Sequence, residues 1–209
     1  MTIYVTSADG RDFREAAELH QNGITEGFLS TLGIPFLAAL YQGIGATEGS
    51  GVLVASAEGE ILGFLAYTSN VKTCYKRLLR SRWPVLAWKM LPNIIRPSIY
   101  RKVVETLMYP FAAGKSGQEA PAESTGNGDA RPELLAMAVS ESARGQGVGK
   151  RLVAAMDDAM HAMHIVGYYV VTHGVDERSN RFYASCGFEK VGEFENHGRP
   201  MNEYYRRLA

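Results

Sequence analysis

Residues 139–150 read Val-Ser-Glu-Ser-Ala-Arg-Gly-Gln-Gly-Val-Gly-Lys, which is the most informative stretch of the chain. An apolar run ends at Val139, a polar turn and three alternate glycines follow, and a basic helical pattern begins near Gly149. Glycines let the main chain approach a ligand closely, and unpaired N–H groups at a helix start attract anions. The pattern therefore predicts a strand, an anion-binding loop and a helix, with a phosphate-bearing ligand.

The glycine spacing distinguishes this loop from two familiar phosphate-binding loops. A P-loop needs glycine five positions before Gly149, where this chain has Arg144, and Ser or Thr after Lys150, where it has Arg151. A dinucleotide-binding fingerprint needs its third glycine at the position of Lys150. A glycine turn that starts a helix without binding any ligand remains an open alternative.

The composition is that of one ordinary globular domain over residues 1–209. Hydrophobic residues make up 46% of the chain, and 22 basic residues balance 22 acidic ones, which argues against a dedicated nucleic-acid binder. Two cysteines exclude a disulfide scaffold and a four-cysteine zinc site. His161 and His164 lack an evident third ligand, so we expect no metal. The N-terminus lacks a signal-peptide core, and we expect a cytoplasmic protein.

Hydrophobic periodicity outside the loop predicts a mixed α/β (α+β) fold. Strands are predicted at 2–6, 51–57, 61–67, 133–139, 168–173, 191–195 and 202–207, and helices at 13–20, 32–44, 149–164 and 179–185. The second and third strands are expected to form a hairpin, as are the last two.

Residues 70–114 differ in composition from the rest of the chain, with nine basic residues and one acidic residue. We expect a helical insertion with breaks at Pro84, Pro92 and Pro97. Three interpretations stay open: a flap that packs on the sheet, a lid for an anionic acceptor, and a segment that contacts an anionic membrane. Residues 115–131 are rich in Gly, Ser, Pro and acids, which predicts a mobile loop.

Two motifs together resemble the GCN5-related N-acetyltransferase (GNAT) superfamily. The family's signature after strand 4 is Gln or Arg, two variable residues, Gly, one variable residue, and then Gly or Ala. In this chain the three defined positions are Arg144, Gly147 and Gly149. A Phe-Tyr pair, three variable residues and then Gly-Phe form the second motif, which is matched within 181–188. The resemblance covers residues 1–69 in element order and 132–209 in motif as well. It implies a mostly antiparallel GNAT-type sheet flanked by helices, with the basic insertion between strands 3 and 4.

The resemblance also implies how acetyl-coenzyme A (acetyl-CoA) would bind. The loop would hold its pyrophosphate, and the end of strand 4 would pair with its pantetheine arm. The family often has Asn where this chain has Asp176, and a carboxylate cannot donate an amide hydrogen bond. The implied cofactor-binding residues are Ala138, Val139, Arg144, Gly145, Gln146, Gly147, Val148, Gly149, Lys150 and Asp176.

Acetyl transfer to an amine needs a neutral amine, a donor to the developing oxyanion and a proton for the leaving thiolate. By resemblance, Tyr183 would supply that proton, and a backbone N–H near Val139 would serve the oxyanion. Glu133 is the candidate base, with a solvated strand end as its equal alternative. His173 and Glu177 are weaker candidates for the base.

These expectations combine into an acetyl-CoA-dependent N-acetyltransferase that acts on a primary amine of a small molecule by direct attack in a ternary complex. An amino sugar or a nucleotide-linked sugar is one candidate acceptor. The main alternative is a catalytically silent acyl-CoA-binding module whose insertion contacts a membrane or a protein partner, and a generic nucleotide binder is a third. The oligomeric state is open, with a homodimer as one option.

Overall fold

The computed structural model describes residues 2–24, 29–94, 131–196 and 198–208. Its strands are β1 (Tyr4–Ser7), β2 (Ser50–Ala57), β3 (Glu60–Thr68), β4 (Glu133–Val139), β5 (Gly167–His173), β6 (Glu189–Asn196) and β7 (Arg199–Arg207). Its α-helices are α1 (Asp12–Gly23), α2 (Ile34–Gly45), α3 (Val71–Ile94), α4 (Val148–Ala162) and α5 (Glu177–Ser185). Short 3₁₀ turns lie at Leu29–Leu32 and Glu141–Ala143.

The described strands form one seven-stranded sheet in the order β1-β2-β3-β4-β5-β7-β6. All neighbours are antiparallel except β4 and β5, which run parallel. The predicted mixed α/β (α+β) class, the mostly antiparallel sheet and the helix between the third and fourth strands are confirmed. Pro35 lies in the first turn of α2, where its missing N–H costs no hydrogen bond.

A β-bulge interrupts β4 near its middle. Ala66 of β3 pairs with Ala136, and the next residue, Tyr67, pairs with Leu134, so Leu135 has no partner across the ladder. An extra residue of this kind bends a strand and increases its twist. The sequence pattern did not predict the bulge, because 133–139 reads as an uninterrupted apolar run.

Helices cover both faces of the sheet and create two hydrophobic cores. The first core packs α1, α2 and α3 against one face of β2, β3 and β4, with Phe64 and Ala138 among the strand residues. The second core packs α4 and α5 on the other face, with Leu134, Val170 and Tyr183 among its members. Because strand side chains alternate between faces, the core to which a residue belongs shows which way it points.

The long helix α3 corrects the predicted breaks at Pro84 and Pro92, because it continues from Val71 through both prolines to Ile94. A proline removes one helical hydrogen bond, but the flanking turns are held by packing. Leu78 and Leu86, on either side of Pro84, are both buried in the first core. Pro97 and residues 115–130 lie outside the described residues, and the assignment of 70–114 as one insertion remains a prediction.

Candidate active site

The glycine loop connects β4 to α4 in a conformation that depends on its glycines. Gly145 and Gly147 have φ values of +77° and +79°, the left-handed region that other residues rarely adopt. A Cβ atom at either position would meet no other atom within 4 Å, so the loop is open beside them. The glycines are therefore needed for the turn and leave its outer side accessible to a ligand.

The start of α4 offers main-chain N–H groups to an anion. Gly147 is the N-cap residue, and no side chain caps the helix there. The Arg151 amide donates the first hydrogen bond of the helix, to the carbonyl of the N-cap residue Gly147, at 3.1 Å. The N–H groups of Val148, Gly149 and Lys150 precede it, and the helix dipole adds partial positive charge at this end.

Two polar side chains of the loop are engaged within it. The Arg144 guanidinium forms an ion pair with Glu141, with Nη1 and Oε1 3.1 Å apart. The Gln146 side-chain amide donates to the Ser142 carbonyl at 2.9 Å. These contacts stabilise the turn and occupy both side chains. The main-chain amides are therefore the groups of the loop that are most available to an anion.

Gly149 brings three elements of the site together. A Cβ atom at this position would lie 2.9 Å from Cζ of Phe182 on α5 and 3.8 Å from Cγ2 of Val139 on β4. The first distance is shorter than real Cβ contacts, so any other residue here would force the Phe182 ring to move. The close contact places the helix that carries Tyr183 directly beside the loop.

The end of β4 has a free backbone edge. β4 pairs with β5 only at Glu133 and Leu134, after which the two parallel strands separate. The Ser140 amide donates to the Leu62 carbonyl at 2.8 Å, so the main-chain groups of Ser140 face β3. Those of every second residue before it along β4 face the same way, and those of the residues in between face the opposite side. The main-chain groups of Met137 and Val139 therefore point away from β3, into the gap beside β5. This gap can accept an extended ligand as an additional strand.

Tyr183 lies on α5 within the second core. It is 6% exposed, and its ring contacts those of Phe182, Phe188 and Tyr204. Burial raises the pKa of the Tyr183 hydroxyl, and Cys186 and Asp176 add to the increase. The hydroxyl is therefore protonated at neutral pH and can act as a donor. No described residue forms a hydrogen bond with it.

Asn180 holds α5 against the sheet and was not among the predicted site residues. Its side-chain oxygen accepts hydrogen bonds from Thr172, Asn202 and Tyr204 at 2.6, 3.1 and 3.0 Å. Its side-chain nitrogen donates to two carbonyls at the end of β5. Asn180 thus fixes the position of Tyr183, one turn further along α5. Its partners are remote in sequence, so no local pattern could have revealed this role.

Glu133 lies at the opposite end of β4, about 20 Å from the loop along the strand. The side chain is 2% exposed and forms an ion pair with Arg131, with Oε2 and Nη2 3.2 Å apart. Arg131 also pairs with Glu203 at 2.7 Å and stacks over the Tyr169 ring at 4.3 Å. Burial raises the pKa of Glu133 to about 7, with Glu203 adding to the increase and Arg131 opposing it.

This buried network lies on a defined face of the sheet. Leu134 and Val170 belong to the second core, so Glu133 and Tyr169 point to the opposite face, where the first core packs. The network is placed where β4 and β5 still pair, at the closed end of the gap. A carboxyl group with a pKa near 7 can both accept and release a proton under neutral conditions.

Asp176 acts as the N-cap of α5. Its carboxylate accepts from the amides of Arg178 and Ser179, each at 3.1 Å, and from the Ser179 hydroxyl at 2.5 Å. Burial raises the pKa of Asp176, but these hydrogen bonds outweigh it and lower the pKa below its usual value. The structure thus gives Asp176 a helix-capping role, and a cofactor contact from it stays a prediction.

Clusters of metal-ligating side chains and membrane-spanning helices are both absent from the residues that the structure describes. No group of three or more His, Cys, Asp and Glu side chains in this part of the chain is placed to hold a metal ion. None of the described helices is both long enough and apolar enough to cross a membrane.

Comparison with known proteins confirms the predicted family resemblance. A family model described as an acetyltransferase (GNAT) domain matches residues 114–190, and no curated protein sequence matches the chain. An acetyltransferase of known structure is 17% identical, with a TM-score of 0.62 over 99% of this chain and 100% of its own. YncA of Salmonella typhimurium, solved with its cofactor acetyl-CoA, is 12% identical, with a TM-score of 0.62 over 100% and 95%.

A further structural neighbour is the ribosomal-protein-S18-alanine N-acetyltransferase of Escherichia coli. It is 10% identical, with a TM-score of 0.60 over 100% of this chain and 95% of the other. Identities this low establish a shared fold only. The chain has the GNAT acetyltransferase fold.

Proposed function

We propose that this chain is an acetyl-CoA-dependent N-acetyltransferase that acts on a primary amine of a small molecule. The observation that carries the proposal is the geometry at the end of β4. One strand end combines a free backbone edge with a glycine loop that leads into an uncapped helix N-terminus. An extended arm bound along the edge and a diphosphate bound at the loop would satisfy both features, and acetyl-CoA contains both groups.

The residues available fit this ligand. The main-chain groups of Met137 and the Val139 carbonyl would pair with the pantetheine arm, and the amides of Val148, Gly149 and Lys150 would bind the pyrophosphate. When bound, acetyl-CoA supplies an acetyl group activated as a thioester. The Val139 amide lies on the free edge, where it would donate to the oxygen that gains negative charge.

Tyr183 would protonate the departing thiolate. Burial raises the pKa of the Tyr183 hydroxyl, so the group holds its proton at neutral pH and can hydrogen-bond to, and then protonate, the sulfur as negative charge develops on it. Glu133 would receive the proton of the amine through a relay of several waters, because its side chain is buried and lies at the other end of β4, about 20 Å from the loop. Arg131 pairs with both Glu133 and Glu203, and when Glu133 is ionised this cluster keeps one net negative charge, which would favour a cationic amine as the acceptor. Amino sugars, including nucleotide-linked ones, are the first acceptors to test.

The decisive experiment measures thiol release from acetyl-CoA with a panel of amino sugars, polyamines, amino acids and peptide N-termini. Tyr183→Phe should lower kcat about a hundredfold with little change in the KM for acetyl-CoA, because only the transferable proton is lost. Tyr168→Phe is the matched control. Tyr168 lies in the same core, but its hydroxyl donates to Asp157 at 2.7 Å, so this variant should lose stability and retain its rate.

Other outcomes would distinguish the alternatives. Binding of acetyl-CoA without thiol release from any amine would favour the silent acyl-CoA-binding module. Tighter binding of ATP than of coenzyme A in a calorimetric titration would favour a generic nucleotide binder. An unchanged rate in Tyr183→Phe would remove the assigned acid while leaving the cofactor site intact.

A further inference from the structure

The outer face of α3 carries a row of cationic side chains. Lys72, Lys76 and Arg80 follow one another at intervals of four residues, and all three are exposed. No described residue forms an ion pair with any of them. Residues 71–94 contain no acidic residue, so the helix itself provides no compensating charge. This face is therefore a concentrated positive surface on a chain whose formal net charge is zero.

Packing explains why the row must face outward. Val71, Cys74, Leu78 and Leu86 are buried, and Cys74, Leu78 and Leu86 belong to the first core. At 3.6 residues per turn, these positions define one side of the helix and leave Lys72, Lys76 and Arg80 on the other. Arg77 differs from the row, because it pairs with Glu48 of the α2–β2 connection at 2.9 Å.

Trp88 adds an apolar group to the exposed surface of α3. It is 75% exposed, and it is the only large apolar side chain of α3 that is exposed among those the structure describes. Burying a tryptophan of this size would stabilise a contact strongly. Tryptophan beside lysine and arginine is typical of surfaces that rest on a lipid headgroup layer.

The geometry fits an extended anionic surface better than a small ligand. Successive cations are separated by about 6 Å along the helix axis, and Trp88 lies about 24 Å from Lys72. Side chains in such a row do not converge on one point, so they cannot surround a single phosphate. Lys76 and Arg80 point most directly away from the buried side, Lys72 and Trp88 flank them on opposite sides of the helix, and a layer of anionic headgroups into which the helix partly sinks can contact all four.

We propose that the outer face of α3 docks peripherally on an anionic lipid bilayer. The contact is electrostatic through Lys72, Lys76 and Arg80, and Trp88 anchors it in the headgroup region. The helix lies along the surface, because its opposite side is already buried in the first core. This docking is independent of the acetyl-transfer proposal, since none of the four residues belongs to the loop, β4 or α5.

The test is sedimentation of the full-length protein with phosphatidylcholine vesicles, with and without phosphatidylglycerol. Binding should require phosphatidylglycerol and should weaken as the salt concentration rises from about 0.1 M to about 1 M. Lys72→Gln/Lys76→Gln should weaken the partition coefficient about 25-fold, or roughly fivefold for each neutralised cation. Trp88→Ala should weaken it further when combined with that pair.

The matched control is Arg11→Gln/Arg14→Gln on α1, which removes the same charge from side chains that are 80% and 75% exposed. It should bind vesicles like the unmodified protein. Equal binding to neutral vesicles, equal losses in both double variants, or binding to single-stranded RNA without binding to vesicles would each overturn the proposal. Acetyl-CoA binding measured on the same samples shows whether the acetyl-transfer site is intact in each case.

Discussion

The two ends of β4 differ in whether their polar groups have partners within the protein. At the carboxyl end, the strand separates from β5 and leads into a loop whose helix start has no side-chain cap. At the amino end, Glu133 is buried and bound by Arg131, which also holds Glu203 and Tyr169. The first end has backbone groups available for a ligand, and the second is closed by the protein's own side chains. One strand thus separates an end open to the cofactor from an end held by buried ion pairs.

The largest expected effect is at the closed end. Arg131→Leu leaves Glu133 and Glu203 buried without a cation, and breaking a buried pair in this way should lower the free energy of unfolding by about 3 kcal/mol. Chemical denaturation measures the change. The affinity for acetyl-CoA should stay the same at a temperature where the variant is folded. A large loss of affinity with unchanged stability would reverse the assigned roles of the two ends.

At the open end, Gly147→Asp places a carboxylate beside the helix N-terminus. We expect the Kd for acetyl-CoA to rise about thirtyfold, or about 2 kcal/mol, because this charge repels a diphosphate. Gly147→Asn is the matched control, since Asn and Asp tolerate the left-handed backbone similarly and have the same size. Calorimetric titration of both variants separates charge from backbone strain. Equal affinities in the two variants would exclude an anion at this loop.

The pH dependence of stability should report on Glu133. Its pKa in the folded protein, about 7, is above the usual value of 4.5, so its contribution to stability is fully present below about pH 4.5 and is lost as the pH rises through 7. Glu133→Gln removes this titration. Denaturation at several pH values between 5 and 7 should show a difference in slope of about 1 kcal/mol per pH unit. Parallel curves would show that Glu133 has an ordinary pKa.

The smallest expected effect concerns Asp176. Asp176→Ala removes the N-cap of α5 and should cost about 1 kcal/mol of stability. If capping is the whole role of this residue, the affinity for acetyl-CoA stays unchanged, and Asp176→Asn restores stability. A loss of affinity in the alanine variant that exceeds its loss of stability would instead support the predicted contact with the cofactor.

Local patterns predicted the elements well, because they depend on neighbouring residues. The run 133–139 coincides with β4, and the hairpin of β2 and β3 was predicted from two apolar runs joined by Glu58-Gly59-Glu60. The three alternate glycines also indicated the loop and the helix that follows it. These features are encoded within a few positions of one another, where propensity and periodicity are informative.

Features that depend on distant contacts could not be predicted in this way. The Leu135 bulge is defined by pairing with β3, and Asn180 is defined by partners on β5 and β7. The continuation of α3 through Pro84 depends on burial of residues on either side of it. His20 lies in the helix predicted over 13–20, but nothing in the sequence indicated its hydrogen bond to Tyr41, 2.5 Å long, because Tyr41 belongs to another helix.

Gly149 has a consequence for how the site can move. The first turn of α4 and the ring of Phe182 touch where a side chain is missing, and the residue after Phe182 is Tyr183. The close contact limits how far the two helices can approach each other, so it sets the spacing between the glycine loop and Tyr183. A methyl group at position 149, as in Gly149→Ala, would press on the Phe182 ring and move the neighbouring Tyr183 hydroxyl relative to the loop. Every hydrogen-bonding group of the site would still be present in the chain.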